Sequence, residues 1–239
     1  MNIALIGYGK MGKTIERLAL AAGHKISLII GRNNKSDLNA ENLNQVDVAI
    51  EFSLPESAFD NICICLEAGI PVVSGTTGWL ENLDRVKAMC NDKKGAFLYA
   101  SNFSIGVNLF FALNRHLAGI MSAYPQYEPE LLEIHHIHKL DAPSGTAITL
   151  AEDLLAFHTE KKKWVRQKAA SPEELAVFSE RTGEVPGTHE IRYHSAIDTI
   201  SIRHEAHTRE GFAQGALVAA NWLIGKAGVF EMKDVLGIE

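Results

Sequence analysis

The sequence predicts an α/β protein of two parts: a Rossmann-type doubly wound parallel sheet, and an α+β domain with a mostly antiparallel sheet. Three observations carry this expectation. Residues 2–6 form an apolar strand that runs directly into Gly7-Tyr8-Gly9-Lys10-Met11-Gly12 and then into helical periodicity. Strand and helix patterns alternate from there to about residue 104, the rhythm of a parallel sheet with helical crossovers. Further on, residues 189–195 and 199–205 alternate apolar and polar side chains, as half-buried antiparallel strands do.

Taken in order, the first unit has a strand at 2–6, a helix over 14–22 closed by Gly23, and a second strand at 25–30. Gly-x-Gly-x-x-Gly between a strand and a helix has the context of a dinucleotide-binding fingerprint. Gly7 permits the tight turn, Gly9 lets backbone approach a pyrophosphate, and Gly12 allows close helix packing. The helix N-terminus offers unpaired N–H groups to phosphate. About 20 residues on, where an acidic group would take the ribose 2′-hydroxyl of NAD, the chain reads Gly31-Arg32-Asn33-Asn34-Lys35. Arg32, helped by Lys35, suits the 2′-phosphate of NADP instead, so NADPH is an expected cofactor alongside NADH.

A third strand is expected at 46–52, then a helix with Pro55 just inside its start, Ser53 as cap and Gly69 as its end. A strand at 71–74 runs into Gly75-Thr76-Thr77-Gly78, a helix spans 80–91, and a fifth strand at 96–100 runs into Ser101-Asn102-Phe103-Ser104. Ligands of such sheets bind beyond the carboxyl ends of the strands, which makes both loops candidates for the nicotinamide end. Residues 105–121 are helical, 130–138 a strand and 147–158 an amphipathic helix, whereas 161–184 is polar and shows no decisive pattern. The helix at 211–226 returns the chain to the first unit. The expected domains are therefore 1–104, completed by 211–239, and 105–210.

Composition narrows the function classes. Among 239 residues the formal net charge is -6, with a pI near 5.9. A general nucleic-acid binder carries a basic excess instead, so any anionic ligand must be met by local groups. No apolar run reaches the roughly 18 to 20 residues of a spanning helix, and the first residues lack the pattern of a signal peptide; a cytoplasmic protein without a membrane partner is expected. Cys63, Cys65 and Cys90 read as buried apolar residues and not as a disulfide framework.

The densest chemistry lies in residues 133–147, Glu-Ile-His-His-Ile-His-Lys-Leu-Asp-Ala-Pro-Ser-Gly-Thr-Ala, which holds three of the ten histidines. His135 and His136 face opposite sides of a strand. Asp141-Ala142-Pro143 sets a turn, and Ser144 caps a helix whose first N–H groups include those of Gly145 and Thr146. A helix N-terminus beside Lys139 is a carboxylate or phosphate site, and histidine beside it can move a proton near neutral pH. A metal site of His135, His138 and Asp141 is a second reading; strand spacing puts its histidines on opposite faces, and no metal is expected.

This stretch closely resembles the signature of the 4-hydroxy-tetrahydrodipicolinate reductase family, also called dihydrodipicolinate reductases. The resemblance extends to Gly7–Gly12, to Gly75-Thr76-Thr77-Gly78, to Asn102-Phe103-Ser104-Ile105-Gly106-Val107-Asn108 and to residues 211–236; residues 31–44 and 161–184 match least. It implies reduction of a small cyclic dicarboxylate, with loss of water, by NADPH or NADH in lysine and diaminopimelate biosynthesis. It further implies His135 as proton donor or acceptor, and Lys139 as proton donor and carboxylate ligand. His136, Gly145 and Thr146 would bind substrate. Gly7, Tyr8, Gly9, Lys10, Met11, Gly12, Gly75, Thr76, Thr77, Ala100, Ser101, Asn102 and Phe103 would line the cofactor. A homotetramer formed through the second domain's sheets is expected as well. Many members carry an acidic residue near the position of Gly31, where this chain has none. Two other functions fit the same residues: a non-catalytic NAD(P)-binding sensor, and a same-fold reductase of another small carboxylate.

Overall fold

The computed structural model describes residues 1–208 and 210–238; Arg209 and Glu239, which fall inside the two expected ranges, lie outside the described residues. The chain forms two units, Met1–Ile105 with Glu210–Glu239, and Gly106–Arg209. The elements of the first are β1 (Asn2–Ile6), α1 (Lys10–Ala21), β2 (Lys25–Ile30), α2 (Ala40–Leu43), β3 (Val48–Glu51), α3 (Pro55–Glu67), β4 (Val72–Ser74), α4 (Leu83–Asp92) and β5 (Ala96–Tyr99). Next come α5 (Ile105–Met121), β6 (Glu128–His135), α6 (Gly145–Phe157), β7 (Lys163–Arg166), β8 (Glu174–Arg181), β9 (Gly187–His194) and β10 (Thr199–Ala206). The chain then returns to the first unit with α7 (Glu210–Leu223), β11 (Gly228–Phe230) and α8 (Met232–Leu236).

The first sheet runs β11-β5-β4-β3-β1-β2, with every neighbouring pair parallel. Strand alternation explains why it is doubly wound. Ile3 and Leu5 of β1 face a layer made by Ile15 and Ala19 of α1 with Ala216 and Leu223 of α7. Ala4 and Ile6 face the opposite layer, with Ile62 and Cys65 of α3 and Val86 and Cys90 of α4. A strand covered on both faces has no polar side to show, so it reads as a continuous apolar run. Each fully buried Ile or Leu contributes about 1.5–3 kcal/mol. Cys65 and Cys90 are buried in this core, and Cys63 is half-buried.

Element ends differ from expectation for local reasons. Helix α1 starts at Lys10, inside the glycine fingerprint, with Gly9 as N-cap. The N-cap of α3 is Leu54 and not Ser53, because the Ser53 hydroxyl donates to the buried Glu51 carboxylate at 2.5 Å. A 3-10 turn, Leu80–Asn82, precedes α4. The three-residue β11 is too short to show a period, yet it adds a sixth strand beside β5.

The second sheet runs β10-β9-β6-β8-β7. It is mixed and not mostly antiparallel: β9 is antiparallel to both β10 and β6, whereas β8 is parallel to both β6 and β7. The two parallel pairings come from residues 161–184, where no strand was expected. One face is covered by α5 and α6, whose Phe110, Met121, Leu150 and Leu154 pack on Leu131, Val177, Ile191 and Tyr193. On β6 the buried positions are Pro129, Leu131, Glu133 and His135, so two polar side chains continue the row that Leu131 occupies in the core. Among the described residues no helix is long and apolar enough to cross a membrane.

Candidate active site

In the first unit the fingerprint builds a phosphate cradle out of backbone. Gly7 has φ +95°, and a Cβ there would lie 2.0 Å from the Phe52 carbonyl oxygen; one on Gly12 would lie 2.2 Å from the Gly7 oxygen. Neither position has room for a side chain. Gly9 differs, since a Cβ there would meet nothing within 4 Å. It leaves open space above the start of α1, which has no side-chain cap and no acidic residue in its first turn. Uncapped N–H groups beside open space suit an anionic group, so these residues fit a dinucleotide pyrophosphate.

A cavity of about 330 Å³ adjoins this cradle, lined by Gly7, Tyr8, Gly9 and Arg32 together with Lys35, Ser53, Ser57 and Asn61. Lys35 Nζ donates to Ser57 Oγ at 3.2 Å, which places a second cation on the wall that carries Arg32. Tyr8 donates its hydroxyl proton to Glu16. Lys10 is exposed, Met11 half-buried and Gly12 buried, and none of the three lines the cavity.

The loops after β4 and β5 are held from beneath. Glu51, fully buried at the end of β3, accepts from Ser74 Oγ at 2.6 Å, from Thr76 Oγ1 at 2.8 Å and from the Ser53 N–H at 2.9 Å. Thr76 Oγ1 also accepts from the Ser53 N–H at 2.8 Å. Its side chain therefore fastens two loops together, and its carbonyl accepts from Trp79 Nε1 at 2.7 Å. Gly75 has to be glycine, since a Cβ there would enter the Phe52 ring at 2.1 Å. Thr77 and Ser101 are exposed and Ala100 half-buried. Asn102 Oδ1 accepts from the Ser104 N–H at 2.9 Å. Phe103 is 1% exposed within the core, its ring 5.5 Å from that of Phe52.

In the second unit the site is made of titratable side chains. Glu133 and His135 lie two apart on β6 and so share a face. Register sets Ser179 of β8 and His189 of β9 beside Glu133, and Arg181 beside His135. Arg181 donates to Glu133 Oε1 at 2.9 Å and to the Asp141 carbonyl at 2.6 Å. Glu133 Oε2 accepts from the Ser144 N–H at 3.1 Å and lies 3.0 Å from His135 Nδ1, off the line of a straight hydrogen bond. Burial pushes the Glu133 carboxyl upward, but the polar contacts of His135, Ser144, Ser179 and Arg181 together outweigh it and hold the group well below the usual carboxylate range. His189 lies 3.2 Å through Nε2 from Ser144 Oγ, its ring 5.2 Å from that of His135. Burial, with the neighbouring His135, pushes it down to about 3, so it is neutral at pH 7.

Lys139 donates to both oxygens of Asp141 at 2.8 Å. That contact lowers the Asp141 carboxyl. Ser144 caps α6, its hydroxyl accepting from the Ala147 N–H at 3.2 Å, as its sequence position predicts. Gly145 is exposed and Thr146 half-buried in the first turn. His136 is half-buried just past the strand end.

The second reading of the stretch, a metal held by His135, His138 and Asp141, does not match the geometry. His138 is exposed and lies 3.4 Å from Glu184, and Asp141 is engaged by Lys139. The donor atoms that do gather within 4.8 Å among the described residues are those of Glu133, His135 and His189, and there Arg181 already supplies the cation. Sequence reasoning assigned no role to Glu133, Arg181, His189 or Glu51. Glu133 had a signal, strand spacing from His135. Arg181 and His189 had none, because only sheet pairing brings them there.

Comparison with known proteins agrees with both units. Residues 1–103 match the family model described as dihydrodipicolinate reductase, N-terminus, and residues 106–236 match its C-terminus. The chain is 49% identical over 238 residues to a 4-hydroxy-tetrahydrodipicolinate reductase of Christiangramia forsetii, covering 99% of this chain and 98% of that one. It is 33% identical over 230 residues to the Neisseria gonorrhoeae protein of that name, covering 93% and 84%. Among solved structures, dipicolinate-bound dihydrodipicolinate reductase from Paenisporosarcina sp. TG-14 has the same fold, with a TM-score of 0.77 over 97% of each chain at 23% identity. A backbone-built dinucleotide cradle, a histidine and lysine stretch at a helix start, and a match over both units converge: the chain belongs to the dihydrodipicolinate reductase family.

Proposed function

We propose that the protein is an NAD(P)H-dependent oxidoreductase that reduces 4-hydroxy-tetrahydrodipicolinate to tetrahydrodipicolinate with loss of water, in lysine and diaminopimelate biosynthesis. The observation that carries this reading is the grouping of His135, Lys139 and the capped start of α6 in one unit of an acidic chain. The reduced nicotinamide, when bound, supplies the hydride. The chain's own residues hold the dianion and move protons. Lys139 exchanges its Asp141 partner for a substrate carboxylate, and the amides of Gly145 and Thr146 at the positive end of α6 take the same group. His136 contributes to binding. His135, buried beside an anionic Glu133, delivers a proton as the hydroxyl leaves or the ring nitrogen gains electron density.

Gly7, Gly9 and the first turn of α1 take the pyrophosphate, with Tyr8, Lys10, Met11 and Gly12 around it. The loops containing Gly75, Thr76 and Thr77 and Ala100, Ser101, Asn102 and Phe103 support the nicotinamide end through backbone. Arg32 and Lys35 meet the 2′-phosphate of NADPH, while no acidic side chain at residue 31 takes the ribose 2′-hydroxyl of NADH. Assembly as a homotetramer through the second unit's sheet is part of the reading. An edge strand, β10, with Ile200 39% exposed supports it, and light scattering of the purified protein checks it. Cytoplasmic operation is also proposed, with cell fractionation as its check.

The deciding assay follows nicotinamide absorbance with the freshly made condensation product of pyruvate and aspartate semialdehyde, using NADPH and NADH in turn. Oxidation of the nicotinamide is expected with both, faster with NADPH at low concentration. No oxidation with either would overturn the function.

A further inference from the structure

We propose that Glu133 is the positioning residue of His135, its carboxylate holding ring atom Nδ1 so that Nε2 is the nitrogen that exchanges the proton in catalysis. This rests on His135 being the proton-transfer residue. A carboxylate taken fully out of water is costly unless several partners satisfy it, and Glu133 is 0% exposed. Both of its oxygens are committed. Oε1 accepts from Arg181 of β8; Oε2 accepts from the Ser144 N–H and faces His135 Nδ1. One side chain thereby ties together β6, β8 and the start of α6, the elements on which the proton carrier and the anion-binding amides sit.

The groups around His135 leave Glu133 as its counter-charge. From β9 comes His189, whose Nε2 faces Ser144 Oγ and whose ring meets His135 edge-on. From β8 comes Arg181 and from the loop after β6 Lys139, both cationic, the latter already facing Asp141. Of these groups, only the Glu133 carboxylate offers an acceptor beside Nδ1. In ligand-free enzymes such contacts are often poorly aligned and tighten in the working complex.

The other side of the ring supports the same assignment. A Cβ added at Gly187, the first residue of β9, would lie 3.1 Å from His135 Nε2 and 3.4 Å from its Cδ2. The missing side chain keeps Nε2 clear. An imidazole held through one nitrogen and open at the other is what directed proton transfer requires.

The test is a kinetic cycle of the full-length enzyme: wild type, Glu133→Gln, His135→Ala and the double variant, each measured for kcat and KM separately. Glu133→Gln is expected to lower kcat about 10- to 100-fold, by analogy with the carboxylate partners that orient metal-bound histidines, with KM little changed. In the His135→Ala background the same substitution should cost nothing more. Wild-type turnover in Glu133→Gln, beside a crippled His135→Ala, would overturn the positioning role alone. An equal slowing by Glu133→Gln in both backgrounds would overturn it too. Wild-type turnover in His135→Ala would overturn the proton-transfer assignment and this role with it. If Glu133→Gln fails to fold, Glu133→Asp carries the test: it keeps the charge but shortens the reach to Nδ1, so kcat should fall about tenfold or more with KM little changed, as misplacing a catalytic group does, and unchanged turnover would overturn the role.

Discussion

The two units build their binding surfaces from different materials. The first uses backbone: Gly7 and Gly12 have no room for a side chain, and Gly9 opens onto the uncapped start of α1. The second uses side chains that titrate, Glu133, His135, Lys139 and His189, fastened across three strands and a helix cap. A dinucleotide phosphate keeps its charge through a reaction, so fixed dipoles suit it. A substrate that gains hydride and loses water needs groups that exchange protons. The same contrast shows in which groups are perturbed. In the first unit burial, helped by Glu51, pushes the Cys65 thiol up to about 12, whereas in the second Glu133 and His189 are both pushed down.

The largest effects should come from removing the side chains that do chemistry. His135→Ala and Lys139→Ala are each expected to lower turnover about 10²- to 10⁴-fold, with the fold intact by circular dichroism and cofactor affinity unchanged by fluorescence titration. Near-normal turnover in both would erase the functional half of the contrast. Next comes the backbone cradle. Gly12→Ala drives a Cβ into the Gly7 carbonyl and should lower stability by about 1–3 kcal/mol in denaturant unfolding, with cofactor binding lost alongside. Gly9→Ala should leave stability near wild type while weakening cofactor binding, because its Cβ occupies only the open space. Equal stability loss in the two variants would contradict this division.

Smaller still is the choice of cofactor. Arg32→Ala removes one charged partner of a 2′-phosphate, worth about 1.5–3 kcal/mol, so KM for NADPH should rise about tenfold or more while KM for NADH stays put. A parallel rise for both would place Arg32 outside phosphate recognition. The last test is pH. His189 has a folded value of about 3 against about 6.5 when unfolded. Its contribution is therefore complete above about pH 6.5 and is lost as pH falls toward 3. Glu133, also depressed, adds to that loss below about pH 4.3. Cys65 works the opposite way, its contribution complete below about pH 8.5 and lost as pH rises toward 12. Hydrogen exchange should thus find the second unit loosening first in mild acid and the first unit loosening first in alkali. His189→Phe, which keeps a ring but cannot be protonated, should flatten the acid side.

Much of the first unit was legible because its determinants are local. Apolar runs, glycine punctuation and a Gly-x-Gly-x-x-Gly turn each lie within a few residues, and β1 and β2 fall on the residues expected. The misses there are also instructive. Ser53 has the residue type of an N-cap, but a buried acid two residues earlier claims its hydroxyl. Phe103 has its ring in the core, since Phe52 and α7 close over that strand end, so only its backbone is left for the cofactor role expected of it. In the second unit β7 and β8 went unseen because residues 161–184 are polar. The parallel pairing of β8 with β6 joins Glu133 to Ser179, partners distant in sequence.

What the sequence determined by itself was the kind of chemistry and the family: a glycine turn for a dinucleotide, and a histidine and lysine stretch opening on a capped helix, both written in neighbouring residues. What only the tertiary structure decided was which groups face one another. Glu133, Arg181 and His189 come from three strands up to 56 residues apart, since Glu133 and His189 are register partners. Their union depends on hydrogen bonds between strands whose pairing no local pattern specifies. A carboxylate 0% exposed beside a buried histidine exists only once the sheet has closed around it.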